Sequence, residues 1–484
     1  MKDLSENISN APTEELHRGL SNRHLQLIAI GGAIGTGLFL GSGKVISLTG
    51  PSVLFIYAVI GFMMFFVMRA LGEILLSNLN YKTFGDIAKD LIGPWAGFMV
   101  SWTYWCTWVV ICIADIIAIT AYVSYFNASI PTWIPALVAA LALIILNLQP
   151  VRFFGEFEFW FALIKIVAIL GLIATGVVLL VTGFENPDTG TQASLMHLFD
   201  RGGMFPFGIG GFLLGFQLGI FSFIGVELIG TAAAETKDPH KNLPKAVNSI
   251  VVRVLIFYIG ALSVIMAITP WDELDPDQSP FVTTFAYAGF AAAALGINFV
   301  VLTSAASSAN SGFYSGTRMM YALSKDGHAP RKFSLVDSRG VPRRTVFFSS
   351  IFLFSAVPIL LAGDSVIAAF TFVSSVASSF IIFIWSMLVI SYLQYYRKHP
   401  ERHQSSTFKM PLPRVMPWIT LVFFAFIVFT LLIAEDTRIP TLCTPIWFVA
   451  LAIAWQLRKR RLISSGQPLT AAVALPGTGE DAKY

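Results

Sequence analysis

Charge is scarce in this chain. Of its 484 residues only 12% are Asp, Glu, Lys or Arg, while 55% are hydrophobic. A soluble protein of this length needs far more polar surface. Cysteine is also scarce. Cys106, Cys112 and Cys443 lie in or beside apolar segments, and an odd count without paired spacing argues against a disulfide framework. The seven histidines, His17, His24, His197, His240, His328, His399 and His403, fall in predicted tails or loops. That leaves no His/Cys set for a metal, and no cofactor is expected. HExxH, GxSxG and P-loop sequences are missing, which argues against a membrane-embedded enzyme and against an ATP-driven pump. The repeated filter loops or charge rings of a channel are missing too. A net charge of +4 is weak evidence of any partner, and no nucleic acid is expected.

A cleavable leader is not apparent either. Residues 1–24 are polar and mixed in charge, and no small-residue cleavage site follows a short apolar core. The first apolar segment therefore reads as a retained membrane span.

What the chain does have is long apolar runs, which recur along nearly its full length. Without the alternation of a closed barrel, helices are the way to satisfy the backbone in lipid. The fold class expected is an all-α polytopic membrane protein with 12 transmembrane helices. They are predicted at 25–47, 51–78, 95–124, 132–149, 157–182, 208–233, 247–269, 281–316, 345–362, 365–393, 416–434 and 443–460, the eighth running on toward Asp326. Residues 1–24 and 462–484 read as tails, 25–393 as a core of ten helices, and 394–461 as helices 11 and 12. Trp95, Trp133, Trp271, Trp418 and Trp447 fall near span ends, where an interfacial belt places them.

Basic residues mark alternate loops: Lys82 and Lys89; Arg152; Lys237, Lys241 and Lys245; Arg331 to Arg344; Arg397, Lys398 and Arg402; and the run 458–461. The opposite set holds only Lys44, Arg201 and Arg438. By the positive-inside rule both termini are predicted to be cytoplasmic.

Glycine is concentrated where a helix should least want it. "GGAIGTGLFLGSG" at 31–43 sits inside the first span, and each helical glycine costs about 1 kcal/mol relative to alanine. The sixth span has a similar punctuation, Gly225 and Gly230 around Glu227. The two spans occupy matching places in halves of five spans, 25–182 and 208–393. An odd number of spans per half makes the halves face opposite ways, the pattern of inverted-repeat transporters with discontinuous helices. Unwound backbone inside a membrane must line a cavity or be buried in protein. A break near Ile34, Gly35, Thr36 and Gly37 turns amide N–H groups toward an anion such as a carboxylate, and freed carbonyls receive an ammonium. One site offering both suits a zwitterionic amino acid. Packing is the alternative: Gly31 with Gly35, and Gly37 with Gly41, are also small-xxx-small pairs.

Lys165 lies roughly 12 Å into the fifth span at 1.5 Å per residue. Either it snorkels to the interface, or it turns inward to the broken span and exchanges a proton there. Asp115 in the third span and Glu227 in the sixth are intramembrane carboxylates, candidates for proton coupling or for neutral, hydrogen-bonded structural roles. Glu156 and Glu158 read as solvated acids at a helix start. "SAASSANSG" at 304–312 has the composition of a close helix contact, from which Ser304, Ser308 and Asn310 are candidate partners of Lys165. Ser374, Ser375, Ser378 and Ser379 read the same way as packing residues. Arg69 and Glu73, four apart, read as a helical ion pair at the inner interface.

The stretches "IAIGGAIGTGLFLGSG", "EFEFWFALIKIVAI", "GVELIGTAAAETKDP" and "TSAASSANSGFYSGTRMMYALSKDG" resemble the amino acid permeases of the amino acid–polyamine–organocation superfamily. Within that family the pattern is similar to the bacterial D-serine/D-alanine/glycine transporters. The resemblance implies a leucine-transporter-type five-plus-five fold in the bacterial inner membrane and proton-coupled uptake of small neutral amino acids by alternating access. Other neutral or aromatic substrates, or exchange, are the alternatives. It also implies that the amides of Ile34, Gly35, Thr36 and Gly37 hold the substrate carboxylate. The carbonyls of Ala33, Phe221, Ser222 and Ile224, next to Gly225, take its ammonium, and the Phe221 ring walls the site. A lysine at 165 stands where sodium-driven relatives keep a cation, which implies proton coupling without sodium.

Overall fold

The computed structural model describes residues 34–149, 151–186, 189–228, 230 and 238–464, with side chains from residue 158 onward in the helix Val151–Thr182. The predicted tail 1–24, the start of the first span with Gly31 and Ala33, Glu156, and the C-terminal residues from 465 lie outside the described side chains. Among the described residues everything regular is helical; the one strand-like feature is an isolated bridge between Glu185 and Gln192. Nine helical runs there are long and apolar enough to cross a bilayer. Two shorter apolar helices, Trp133–Asn147 and Gly208–Phe223, stand beside them.

Local signals set the helix ends. Gly93 at φ 152° and Pro94 open the helix Pro94–Phe126, where proline's missing N–H costs nothing. Thr83 and Asp86 close a reciprocal capping box on the short helix Phe84–Leu91. Ser365 caps Val366–Lys398 by accepting from the Ala368 amide. The run Gly37–Ser77 turns once, at Gly50 (φ 58°), where Pro206 packs so closely that a Cβ would not fit.

Three of the predicted spans begin well away from their predicted starts, the seventh among them at Pro239. The eighth starts at Ala291 and runs to Lys325; Pro280–Tyr287 is a separate short helix, parted from it by Gly289 at φ 78°. Apolar content hid that turn. The last helix begins at Glu435, with Ala434 alone between it and the end of Met416–Ile433.

Burial sorts the helices into an inner and an outer set. The apolar windows of Pro94–Phe126 and Val366–Lys398 are 78% buried, that of Glu158–Thr182 only 22%. The outer set presents large apolar side chains outward, among them Val138, Val167, Val181, Ile351, Val422 and Ile446. Such a continuous apolar exterior has lipid as its natural solvent. Inside, small residues bring helices close. A Cβ on Gly312 would lie 2.4 Å from Trp108 Cε3, so the serine-rich segment 304–312 does pack tightly on Pro94–Phe126. Ser374, Ser375 and Ser379 turn their hydroxyls back onto their own helix backbone.

The Arg69–Glu73 expectation needs correction. Glu73 is fully buried and is not an interfacial partner of Arg69. Its carboxylate accepts from Tyr392 Oη at 2.9 Å and from the Met410 amide at 2.8 Å, and it pairs with His403 Nδ1. Arg69 instead bonds Asn248 and the Lys409 carbonyl, with its guanidinium over the Phe408 ring. Four-residue spacing names neighbours on one helix; here the segment 403–410 folds over and takes both side chains. Glu73→Ala is expected to strand the buried Tyr392 hydroxyl and Met410 amide at about 1–3 kcal/mol each, and to release the half-buried His403. A thermal melt of purified protein in detergent should show a marked drop, and an unchanged melting temperature would dismiss the carboxylate as a tie between these segments.

Candidate functional site

The first apolar segment is not helical where its description begins. Ile34 and Gly35 are irregular, Thr36 starts the helix, and Gly37–Gly41 winds as a wide π-type turn before Ser42–Thr49. The first amides of a helix have no carbonyl of their own to meet. Among the described residues the earliest intrahelical bonds run from Leu38 and Phe39 to the Gly35 carbonyl, so the N–H groups before them lie at the helix end.

The sixth apolar segment breaks as well. Helical winding ends at Phe223, Ile224 is extended (ψ 136°), and Gly225 takes φ 100°, a conformation that favours glycine. The two breaks touch. A Cβ on Gly37 would lie 2.6 Å from Ser222 Cα and 3.0 Å from Phe221 Cδ1. Only glycine lets these backbones come so near.

A cavity of about 450 Å³, including space at its mouth, opens between the breaks. Gly35, Thr36, Gly37, Phe221, Ser222 and Ile224 line it from the two broken segments. Trp108, Ile111 and Asp115 come from Pro94–Phe126, Glu158 and Lys165 from Val151–Thr182, Ser308 and Ser311 from Ala291–Lys325, and Leu228 closes the lining. Lys165 is 1% exposed and donates from Nζ to the Ile34 carbonyl at 3.1 Å. Ser304 Oγ approaches the same carbonyl at 3.5 Å. Asp115 is fully buried and accepts from Thr36 Oγ1 at 2.6 Å. The lysine thus turns inward rather than to the interface.

In the sixth segment the Ser222 carbonyl accepts from Tyr258 Oη at 2.7 Å, and the Phe221 carbonyl from the Ile224 amide at 3.2 Å. Each carbonyl keeps one lone pair beyond these bonds. The Phe221 ring stands edge-on to Phe370 at 5.5 Å. Glu227 is buried below the break, where its Oε2 accepts from the Gly225 amide at 3.0 Å and pins the turn. It is outside the cavity lining, and Gly225 is too. Ala33 lies outside the described residues.

Two placements differ from the sequence reading, and one lining residue had none. Asn310 accepts from Asn147 Nδ2 at 2.9 Å and so faces Trp133–Asn147, away from Lys165. Glu158 is not solvated: it is 1% exposed, and its Oε2 accepts from Ser307 Oγ at 2.9 Å and Ser311 Oγ at 2.6 Å. Seven-residue spacing from Lys165 was the signal that put both on one helix face. Trp108 in the lining had no sequence signal of its own; the Gly312 notch that seats it comes from a distant helix. Among the described residues no group of three or more His, Cys, Asp and Glu side chains is placed to hold a metal ion.

Two interrupted membrane segments around a buried polar cavity are the architecture of a solute carrier. The chain belongs to the amino acid permease family, whose model, "Amino acid permease", matches residues 24–465. It is 52% identical to a protein named D-serine/D-alanine/glycine transporter from Escherichia coli (strain K12), over 92% of this chain and 95% of that one. It is 49% identical to amino-acid permease AapA of Bacillus subtilis (strain 168), over 93% and 96%. It is 38% identical to aromatic amino acid transport protein AroP of Escherichia coli O6:H1, over 92% and 97%.

The Gly37 contact is testable. Gly37→Ala is expected to force the two backbones apart and to bring uptake to background. Gly41→Ala, whose Cβ would meet only Phe370 Cε1 at 3.7 Å and the Thr36 carbonyl at 3.9 Å, should transport normally. Wild-type transport rates in the Gly37 variant would mean that the close approach is dispensable.

Proposed function

We propose that this chain is a proton-coupled symporter that carries small neutral amino acids, D-serine, D-alanine and glycine above all, into a bacterial cell across its inner membrane. The observation that carries the reading is the Lys165 ammonium on the Ile34 carbonyl, in a cavity walled by two broken helices. The reading assigns each end of a zwitterion to backbone. The amides of Ile34, Gly35, Thr36 and Gly37 take the carboxylate, supported by the positive end of the helix. Carbonyl lone pairs at Ala33, Phe221, Ser222 and Ile224 take the ammonium. Phe221 and Trp108 close over the side chain, and their bulk in a small cavity favours short substrates.

Lys165 is read as the coupling group. A buried amine has a point charge that the first broken helix can feel directly, and loss of its proton frees the Ile34 carbonyl. Asp115 stands next to that switch through Thr36. Glu227 is read as a second coupling carboxylate that reports on the sixth-helix turn. The wider arrangement in this reading is twelve spans with 25–182 and 208–393 as inverted repeats and both termini cytoplasmic. Contact between the two breaks and the basic loops support it.

Labelled glycine and proteoliposomes provide the test. An inward proton gradient without sodium is expected to drive accumulation, and indifference to the gradient would remove the coupling assignment. Lys165→Ala is expected to lose concentrative uptake; normal accumulation in that variant would mean that the amine is structural. D-Alanine, D-serine and L-alanine should compete for glycine uptake, whereas inhibition by L-phenylalanine alone would shift the substrate class to aromatic amino acids.

A further inference from the structure

Two carboxylates share the cavity with a single amine. Asp115 reaches it from Pro94–Phe126 and is held by Thr36. Glu158 reaches it from the helix that carries Lys165 itself. Seven residues make two turns, so Glu158 and Lys165 share one helix face, about 10 Å apart along the axis. Helical side chains lean toward the N-terminus, which inclines the flexible stem of Lys165 toward Glu158.

Glu158 is also fixed in place. Ser307 and Ser311 both donate to its Oε2, and a buried carboxylate with two hydroxyl donors has little freedom to wander. Both serines belong to Ala291–Lys325, the helix whose Ser304 approaches the Ile34 carbonyl. The same helix therefore approaches the Ile34 carbonyl through Ser304 and holds Glu158 through Ser307 and Ser311.

We propose that Glu158 is the positioning counter-charge of the coupling amine, receiving Lys165 when the Ile34 carbonyl moves away. Ser307 and Ser311 keep it registered to Ala291–Lys325 while that happens. The inference rests on Lys165 being the coupling group. Several other ionisable groups on the elements packed around the pair have partners of their own, whereas the buried Tyr104 and Tyr122 hydroxyls on Pro94–Phe126 have no hydrogen-bond partner among the described residues. Asp115 takes Thr36, the Cys112 thiol donates to the Ala309 carbonyl, and Tyr258 donates to Ser222. Arg318, further along Ala291–Lys325, lies over the Tyr314 ring.

The test is gradient-driven glycine accumulation in proteoliposomes, measured across a pH series for wild type, Glu158→Gln, Glu158→Asp and the double variant Ser307→Ala/Ser311→Ala. Removing a neighbouring negative charge makes an amine release its proton at lower pH. The alkaline limb of the Glu158→Gln profile is therefore expected to move to the acid side by about one pH unit or more. Glu158→Asp should restore most of the midpoint, and the serine double variant should show a smaller shift in the same direction. The double variant carries the test if Glu158→Gln does not fold. A carboxylate that merely joins two helices would lower the amount of folded protein and leave the midpoint alone. A wild-type midpoint in Glu158→Gln, or in the double variant where it alone folds, overturns the inference while the coupling role of Lys165 stands. A wild-type protein indifferent to the gradient overturns that role and this inference with it.

Discussion

A peptide group released from its helix inside a membrane has no water to turn to, and several kcal/mol are at stake for each one left unpaired. At Ile34 the partner is the ammonium of Lys165, brought from a helix more than a hundred residues away in sequence. That bond fixes where the first helix resumes and which way its free amides face. It also gives the lysine a reason to be buried, since the carbonyl meets a charge that lipid would otherwise reject. The remaining polar contacts gather round this one. Thr36 turns to Asp115, Ser304 approaches the same carbonyl, and Gly37 lets the sixth segment lie against the break.

The sixth segment is held by different means. Its carbonyls are steadied by Tyr258 and by a tight turn, and Glu227 clamps the turn by accepting the Gly225 amide. Tyr57 stands 3.3 Å from the Ser222 hydroxyl and edge-on to Tyr258, so aromatic packing and hydrogen bonding set the same residue. The first break is charge-supported and the second is supported by neutral hydroxyls and one carboxylate. A change in charge at the cavity therefore acts on the first break more directly than on the second.

Around this polar centre the helices divide by what they touch. Pro94–Phe126 and Val366–Lys398 are buried along most of their length, and Val151–Thr182 is exposed along most of its own. The exposed helix is nevertheless the one that supplies Lys165 and Glu158. Among its described side chains the two charged residues, Glu158 and Lys165, are both buried on one face, and most of the others are apolar.

Much of this was legible in the residues. Long apolar runs with few charges require membrane helices, because no other backbone arrangement is satisfied in lipid. The Gly-rich stretches at 31–43 and 225–230 marked the two breaks, because glycine weakens a helix wherever it stands. Lys165 stood out because a lone amine far from either end of an apolar span needs a partner. Pairings across the chain were not legible. Glu158 looked solvated until Ser307 and Ser311 were found against it, Glu73 looked paired with Arg69 until the segment 403–410 closed over it, and Asn310 looked turned to the lysine until Asn147 met it. Sequence determined the solvent, the helices and the weak points, which follow from the transfer cost and conformational freedom of single residues. Which polar group satisfies which was decided by the tertiary structure alone, since a hydrogen bond between distant helices requires an approach to within about 3 Å, and no spacing along the chain encodes that distance.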